Sequence, residues 1–326
     1  MATLLLDRAQ LEIRADGDAL ALYENGVRSS TVPLQLLERV VIQGARTVLD
    51  SGVLLRLAEA GIATLLLSPR ASRRVAIVLG PAHNDAGIRL AQASRVMDGG
   101  WCAAWSRDIV RAKVMHQRRL LESALEQRPD ARKPLTDALA SLERVAEALA
   151  AAGLTVDSLR GLEGSAARAH FHGLASLMPP ALGFTGRNRR PPRDPVNACL
   201  SLAYTLLHFD AVRAAHVAGL DPLLGFYHRP AFGRESLASD LIEPLRPRAD
   251  EWVWHMVRDR ELREDHFTRD KGACLLGKAG RGRFYAAWER AVPPLRRWLR
   301  RRAAALTAGL RRQGDALLGN DEEEVF

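Results

Sequence analysis

Hydrophobic residues follow two different periods along the chain, and the first is the period of two that half-buried strands show. Gln10 to Arg14 alternates polar and apolar side chains, and Glu38 to Ile42 and Ala63 to Leu67 carry apolar or β-branched runs. Asp16-Gly17 and Asn25-Gly26 are typical of tight hairpin turns. The N-terminal region is therefore predicted to form a small β-sheet.

One short helix is predicted among these strands. Ser51 is its predicted N-cap, and Gly61 is predicted to end it. Residues 1–80 contain nine Lys and Arg against eight Asp and Glu, and they contain no histidine. We therefore expect the chemistry of the protein to lie further along the chain.

The second period, near 3.6 residues, begins after a cluster of turn-forming residues at Gly80 to Asp85. It predicts helices over Ile88 to Met97, Cys102 to Leu125, Leu135 to Ala151 and Asp194 to Val217. We therefore predict an α+β fold, in which a small N-terminal β-sheet domain with one helix precedes a larger all-α catalytic domain. The predicted parts are the sheet domain at 1–80, a linker at 81–87, the helical domain at 88–316 and an acidic tail at 317–326.

Composition narrows the class of protein. A chain of 326 residues that is 47% hydrophobic can bury the cores of two domains. No stretch approaches the ~20 apolar residues of a spanning helix, and no basic-then-apolar leader is present, so we expect a cytoplasmic protein without a membrane segment. Cys102, Cys199 and Cys274 lie far apart without C-x-x-C spacing, which predicts buried free thiols rather than disulfides or a zinc site.

The net charge of +9 indicates a polyanionic partner. Ten arginines against one acid, Glu289, lie between Arg281 and Arg312. The aromatic residues among them are predicted to be core. Arginine forks pair with phosphate oxygens, so DNA contacts are predicted at Arg296, Arg297, Arg300, Arg301 and Arg302. Arg193, in a proline-rich loop, is predicted either to contact phosphate or to form a salt bridge.

Four residues carry the candidate chemistry, namely Glu163, His228, Asp240 and Glu243. Asp240 and Glu243 are three apart and share a face on a helix, and Pro244 predicts that this helix kinks or ends at the pair. Carboxylates with one imidazole favour Mg²⁺ or Mn²⁺ over structural zinc. Taken singly, each acid is also typical of a solvated carboxylate and His228 of a loop histidine bonded to backbone.

Four motifs appear in order: G-x-E-G-x-A-A-R, R-P-P-x-D-P-V-N, G-F-x-H and G-R-x-S-L-A-x-D-L-x-E-P-x-R-P. They span Gly161–Arg168, Arg190–Asn197, Gly225–His228 and Gly233–Pro247. In these motifs the chain resembles the CRISPR-associated integrases that capture new spacers. The resemblance implies a metal-dependent DNA endonuclease and integrase, which inserts spacer DNA into a CRISPR array when a 3′-hydroxyl attacks a repeat phosphodiester.

The resemblance also assigns roles. It implies that Glu163, His228 and Glu243 hold Mg²⁺ or Mn²⁺, that Asp240 is a further ligand or positions the nucleophile, and that Asn197 and Tyr204 line the site. Double-stranded DNA, both protospacer and CRISPR repeat, is the implied substrate. The implied assembly is a homodimer that binds the second CRISPR adaptation protein. The N-terminal sheet domain is implied to mediate the dimer contacts and the docking of that partner. Two other hypotheses fit the residues: a non-catalytic basic DNA-binding or scaffold protein, and an unrelated metal-dependent DNA repair nuclease.

Overall fold

The computed structural model describes residues 2–8, 10–44, 46–68, 74–81, 83–188 and 191–319. Contacts within the chain divide it into two compact units. The first unit comprises the residues up to His83 together with Gly277–Val292. The second comprises Asn84–Leu276 and the residues from Pro293 onward.

The first unit contains two four-stranded sheets. Its elements are β1 (Ala2–Leu6), β2 (Leu11–Asp16), β3 (Ala19–Glu24), β4 (Val27–Pro33), β5 (Leu37–Ile42), β6 (Val48–Leu49), α1 (Ser51–Glu59), β7 (Ala63–Leu67) and β8 (Arg74–Val78). One sheet has the order β1-β5-β7-β8, with β8 antiparallel to β7 and the other pairs parallel; the second has the order β4-β3-β2-β6. Leu11, Ile13 and Leu20 are fully buried in the core of this unit.

The turns of the second sheet follow the sequence. Asn25 and Gly26 join β3 to β4, and both have positive φ angles, 53° and 79°, as a type I′ hairpin turn requires. Helix α1 differs from the prediction in its cap, because the side chain of Asp50, not Ser51, accepts the hydrogen bond of the Val53 N–H. The chain leaves this helix at Gly61, with φ of 66°.

The second unit is mainly helical, and each of the four predicted periodic segments corresponds to one of its helices. Its elements are α2 (Ala86–Met97), α3 (Gly99–Gln127), α4 (Arg132–Ala148), α5 (Val156–Ser176), α6 (Pro195–Val217), α7 (Ser236–Ile242), α8 (Arg246–Arg258), β9 (Phe267–Asp270) and β10 (Ala273–Leu276). Helices α9 (Lys278–Ala291), in the first unit, and α10 (Pro293–Leu317), in the second, complete the described elements. The predicted fold class, a small sheet domain followed by a larger helical domain, is confirmed; the β9–β10 hairpin was not predicted.

Helix α9 packs with the N-terminal sheets, although its sequence period is helical like that of the second unit. The Arg281 guanidinium bonds to Asp7 at 2.7 Å, and the Tyr285 hydroxyl donates to Gln43 at 2.8 Å. Phe284, Tyr285 and Trp288 are buried, which confirms that these three aromatics are core, whereas Trp298 is only partly buried and lines a cavity. Of the predicted acidic tail, residues 320–326 lie outside the described residues.

The cysteine prediction is confirmed, because Cys102, Cys199 and Cys274 are all buried free thiols. Across the described ranges, no helix is long and apolar enough to cross a bilayer. Helix α3 is the element that organises the second unit around the candidate site. It contacts α5, α8 and the short turn at Glu243–Leu245 that joins α7 to α8.

Candidate active site

Glu163 lies in the middle of α5 and its side chain is 23% exposed. A Cβ added at Gly161 or Gly164 would meet no atom within 4 Å, so no close contact requires either glycine. The close helix contact of α5 falls further along, at Gly173, where a Cβ would lie 3.1 Å from Leu121. Packing therefore requires glycine at that position and not in the G-x-E-G motif.

Asp240 is fully buried on α7 and organises the loop that carries His228. Its Oδ2 accepts the backbone N–H groups of Phe226 at 2.7 Å and Tyr227 at 2.9 Å. Its Oδ1 accepts the backbone N–H of His228 at 2.8 Å and lies 2.8 Å from Nδ1 of the same residue. Both oxygens are therefore engaged in holding the loop.

The contact with Asp240 bears on the tautomer of His228. Because a carboxylate only accepts, this contact favours, in the neutral ring, the tautomer with its proton on Nδ1 and its lone pair on Nε2. This Nε2 lies 3.9 Å from Oε1 of Glu243. A carboxylate that orients a histidine in this way is the usual support of a metal-ligating imidazole.

Two further contacts fix the same loop. Gln92, fully buried on α2, donates to the carbonyls of Asp221 at 2.9 Å and Leu224 at 2.8 Å, and it accepts the Asp221 N–H at 2.8 Å. A Cβ at Gly225 would lie 2.6–2.7 Å from atoms of Ser236 and 2.7 Å from a backbone oxygen, so only glycine fits there. The G-F-x-H motif is thus a tightly held loop.

Glu243 follows α7 in a short 3₁₀ turn, which confirms that the helix ends near Pro244. Its Oε1 accepts from Arg246 Nε at 2.9 Å and its Oε2 from the Lys113 ammonium at 2.6 Å. Burial alone would raise the pKa of Glu243, but the charges of Arg246 and Lys113 outweigh it and hold the pKa well below its ordinary value. Glu243 is an ionised carboxylate in this site.

Lys113 links the two candidate acids. It lies on α3, 8% exposed, and its ammonium donates to both Glu163 and Glu243. Burial would lower the pKa of Lys113, but the carboxylates of Glu243 and Glu163 raise it above its ordinary value. The ammonium therefore stays charged between them.

Arg246 connects this cluster to a buried polar network. Its guanidinium lies 4.6 Å above the ring of Tyr204, whose hydroxyl donates to Asp250. Burial, followed by the charge of Asp250, raises the pKa of Tyr204 well above its ordinary value. Asp250 in turn lies 2.9 Å from Nε2 of the buried His170. Tyr204 therefore contacts Arg246, which in turn bonds to Glu243.

Asn197, predicted to line the site, belongs to a buried hydrogen-bond network. It is fully buried at the start of α6, where its side chain bonds to Arg187 at 2.7 Å, Asp194 at 2.7 Å and the backbone N–H of Asn188 at 3.0 Å. Its contacts fix the loop before α6. Arg193 of this loop is exposed, and its backbone N–H donates to the Asn188 side chain at 2.9 Å.

The predicted DNA-binding arginines of α10 separate into three groups. Arg297, Arg300 and Arg301 are exposed. Arg302 lies 4.2 Å above the ring of Trp105 and lines a cavity of about 310 Å³. Arg296 must be removed from the predicted set, because it is buried and its Nε bonds to Asp210 at 3.0 Å.

The chemistry of the converging donors fits a hard divalent cation. Two carboxylates and Nε2 of His228 would give an ion mainly oxygen ligands and one imidazole, a set that Mg²⁺ and Mn²⁺ accept. Among the described residues, however, no three His, Cys, Asp or Glu side chains are arranged as a ready metal cage. The Lys113 ammonium lies between the two glutamates instead.

A family model described as CRISPR associated protein Cas1 matches residues 4–290. The chain belongs to the Cas1 family. It is 35% identical over 294 residues to CRISPR-associated endonuclease Cas1 1 of Thermodesulfovibrio yellowstonii, covering 90% of this chain and 92% of that protein. It is 38% identical over 292 residues to CRISPR-associated endonuclease Cas1 2 of Rhodospirillum rubrum, covering 85% and 82%.

Solved structures share the Cas1 fold. A Cas1 protein of Thermotoga maritima superposes with a TM-score of 0.80 at 21% identity, over 94% of this chain and 96% of that one. A casposase bound to integration product gives 0.78 at 19% identity, over 100% and 92%. A Cas6-RT-Cas1–Cas2 complex gives 0.80 at 24% identity, over 95% of this chain and 35% of that chain.

Three residues around the Cas1-family site were missed from the sequence. Arg246 had a signal, since it is three residues after Glu243 within the last motif. Lys113 interrupts the buried stripe of α3 between Val110 and Gln117, and a lysine in such a stripe is seldom buried unless paired. Gln92 has no comparable signal, because its partners are backbone atoms more than a hundred residues away.

Proposed function

We propose that this Cas1-family chain is a metal-dependent DNA endonuclease and integrase, which inserts new spacer DNA into a CRISPR array by transesterification. In the reaction a 3′-hydroxyl of the captured DNA attacks a repeat phosphodiester. The family match and the relatives named endonucleases support the nuclease class. The casposase neighbour, named as bound to an integration product, supports strand transfer.

The observation that carries the proposal is the convergence of Glu163, His228 Nε2 and Glu243. These three side chains would hold Mg²⁺ or Mn²⁺. When bound, such an ion polarises the scissile phosphate and stabilises the leaving oxygen.

The other residues of the site position these donors. Asp240 holds the His228 ring and its tautomer, and since both its oxygens are engaged we assign it positioning rather than ligation. Arg246 fixes the carboxylate plane of Glu243 and is supported by Tyr204. Such support keeps donors close to their productive geometry.

DNA contacts and partners complete the proposal. The exposed Arg297, Arg300 and Arg301 of α10, with Arg193, would bind backbone phosphates of the double-stranded protospacer and repeat. We propose a homodimer that works with the second CRISPR adaptation protein, as the Cas1–Cas2 neighbour's name suggests, and that docks through the N-terminal sheets. The reaction would take place in the cytoplasm, where the array lies.

The test is a strand-transfer and nuclease assay with Mn²⁺ on branched DNA and on a repeat-containing target supplied with the partner protein. Glu163→Gln and His228→Ala should each lower both activities at least about 100-fold, because each removes a donor that nothing else replaces. Glu126→Gln, an exposed glutamate on α3, is the matched control and should keep full activity.

Two outcomes would favour the other hypotheses. Activity that survives Glu163→Gln combined with His228→Ala would exclude this site, whereas wild-type protein that binds DNA but neither cuts nor joins it would favour the non-catalytic DNA-binding protein. Efficient cutting without any joining of ends, in the presence of partner protein and target, would instead favour a repair nuclease.

A further inference from the structure

Lys113 occupies an unusual position for a lysine. It is almost fully buried in the middle of the 29-residue helix α3, and its ammonium donates to Glu163 and, at 2.6 Å, to Glu243. A buried ammonium is costly unless it is paired, and here two carboxylates pair with it. The three side chains form an acid–ammonium–acid bridge across α5, α3 and the turn after α7.

The bridge uses the donors that the proposed ion needs. One Glu163 oxygen and Oε2 of Glu243 face the ammonium, while Oε1 of Glu243 faces Arg246 at 2.9 Å. Two ionised glutamates this close repel each other unless a cation lies between them. Lys113 supplies that cation from within the chain.

A divalent cation and the Lys113 ammonium cannot both occupy the space between the Glu163 and Glu243 carboxylates. A divalent ion held by Glu163, Glu243 and His228 Nε2 would lie beside the Lys113 charge in a largely buried site, where like charges repel strongly. Among the described residues no ready three-ligand cage is present, and the two glutamates converge on the ammonium.

We propose that Lys113 is a built-in competitor of the metal ion, which holds Glu163 and Glu243 together before the ion enters and must be displaced from them when it binds. This inference rests on the proposed metal-dependent function. It assigns Lys113 a positioning role and makes metal affinity a balance between an internal and an external cation.

The test measures Mn²⁺ binding to the full-length protein by isothermal titration calorimetry and by electron paramagnetic resonance. Lys113→Met removes the internal charge and keeps a side chain of similar length. We expect it to bind Mn²⁺ at least about tenfold more tightly than the wild type, because the ion no longer displaces a competitor. Lys133→Met, an 88% exposed lysine on α4, is the matched control and should leave the affinity unchanged.

Thermal unfolding gives a second readout. Without metal, Lys113→Met should melt at a lower temperature than the wild type, because the buried Glu243 and the partly exposed Glu163 lose their shared counter-ion. Added Mn²⁺ should raise its melting temperature more than it raises that of the wild type. If Lys113→Met does not fold, Lys113→Gln gives the same comparison, and Lys113→Arg, which keeps the charge, should bind Mn²⁺ no more tightly than the wild type.

The outcomes separate this inference from the function beneath it. One outcome is that the wild type binds Mn²⁺ and His228→Ala abolishes this binding, but the neutral Lys113 variants bind Mn²⁺ equally or more weakly. This outcome would overturn the role of Lys113 and leave the proposed metal site intact. Wild-type protein with no His228-dependent Mn²⁺ binding would overturn both the competitor role and the proposed metal-dependent function.

Discussion

The acids of the candidate site and the arginines of α10 carry opposite charges and are held in opposite ways. Asp240 and Glu243 are buried, and each of their carboxylate oxygens has a partner within 2.9 Å. On α10, Arg297 and Arg301 are exposed to solvent. Only Arg296 resembles the acids, because it is buried against Asp210.

This difference suggests separate roles, with the buried acids shaping the candidate site and the exposed arginines contributing to DNA affinity. Buried, fully bonded charges cannot move independently, so they fix the geometry in which donors meet a reacting phosphate. Exposed arginines reach a polyanion without fixed geometry, and they give binding that depends on salt rather than on sequence. Changes to the two groups should therefore alter different measurements.

The largest effect on folding is expected for Asp240→Ala. It leaves the buried N–H groups of Phe226 and Tyr227 without an acceptor and frees the His228 ring. The free energy of unfolding should fall by about 3–5 kcal/mol, as when a buried charge network loses one partner. Urea unfolding followed by circular dichroism measures this change.

The control for this variant is Asp137→Ala, an exposed aspartate on α4 that forms an ion pair with the exposed Lys133. It should change the free energy of unfolding by less than about 0.5 kcal/mol. A loss below about 1 kcal/mol for Asp240→Ala would contradict the view that the site acids are structural anchors of the loop.

A smaller effect, on binding rather than folding, is expected when Arg297, Arg300 and Arg301 are together replaced by alanine. The slope of log K against log salt for duplex DNA should flatten by up to about 3, since each lost phosphate contact removes roughly 0.9. Fluorescence anisotropy at several salt concentrations measures the slope. The unfolding free energy should hardly change, because these side chains are exposed.

Arg296→Ala sharpens the comparison between neighbours on one helix. It breaks a buried ion pair with Asp210, so it should destabilise the protein by about 3 kcal/mol and leave the salt slope unaltered. Arg132, Lys133 and Arg144 of α4, replaced together by alanine, match the triple variant in lost charge. An equal loss of slope in that control would show that α10 has no special part in DNA binding.

Local patterns were enough to predict the framework of the fold. The period of the apolar residues predicted the long helices, and Asn25-Gly26 predicted its hairpin, because these signals involve residues close in sequence. The packing of α9 with the N-terminal sheets could not be predicted in this way. It depends on contacts such as Arg281 with Asp7, which no local period encodes.

The site shows the same limit. The motifs predicted a site made of three acids and one histidine, and the structure brings these residues, Glu163, His228, Asp240 and Glu243, into one cluster. The separate role of each residue could be inferred only from the structure. The four hydrogen bonds that engage Asp240 come from a loop twelve to fourteen residues earlier in the chain. Lys113 bonds to Glu163, which is 50 residues away in the sequence, and to Glu243, which is 130 residues away.

The most direct test of the central claim is the anomalous scattering of Mn²⁺ soaked into crystals of the wild-type protein. The account predicts a peak within bonding distance of carboxylate oxygens of Glu163 and Glu243 and of Nε2 of His228, with the Lys113 ammonium moved away from it. Manganese bound elsewhere, with the ammonium still between the two glutamates, would contradict the proposed metal centre.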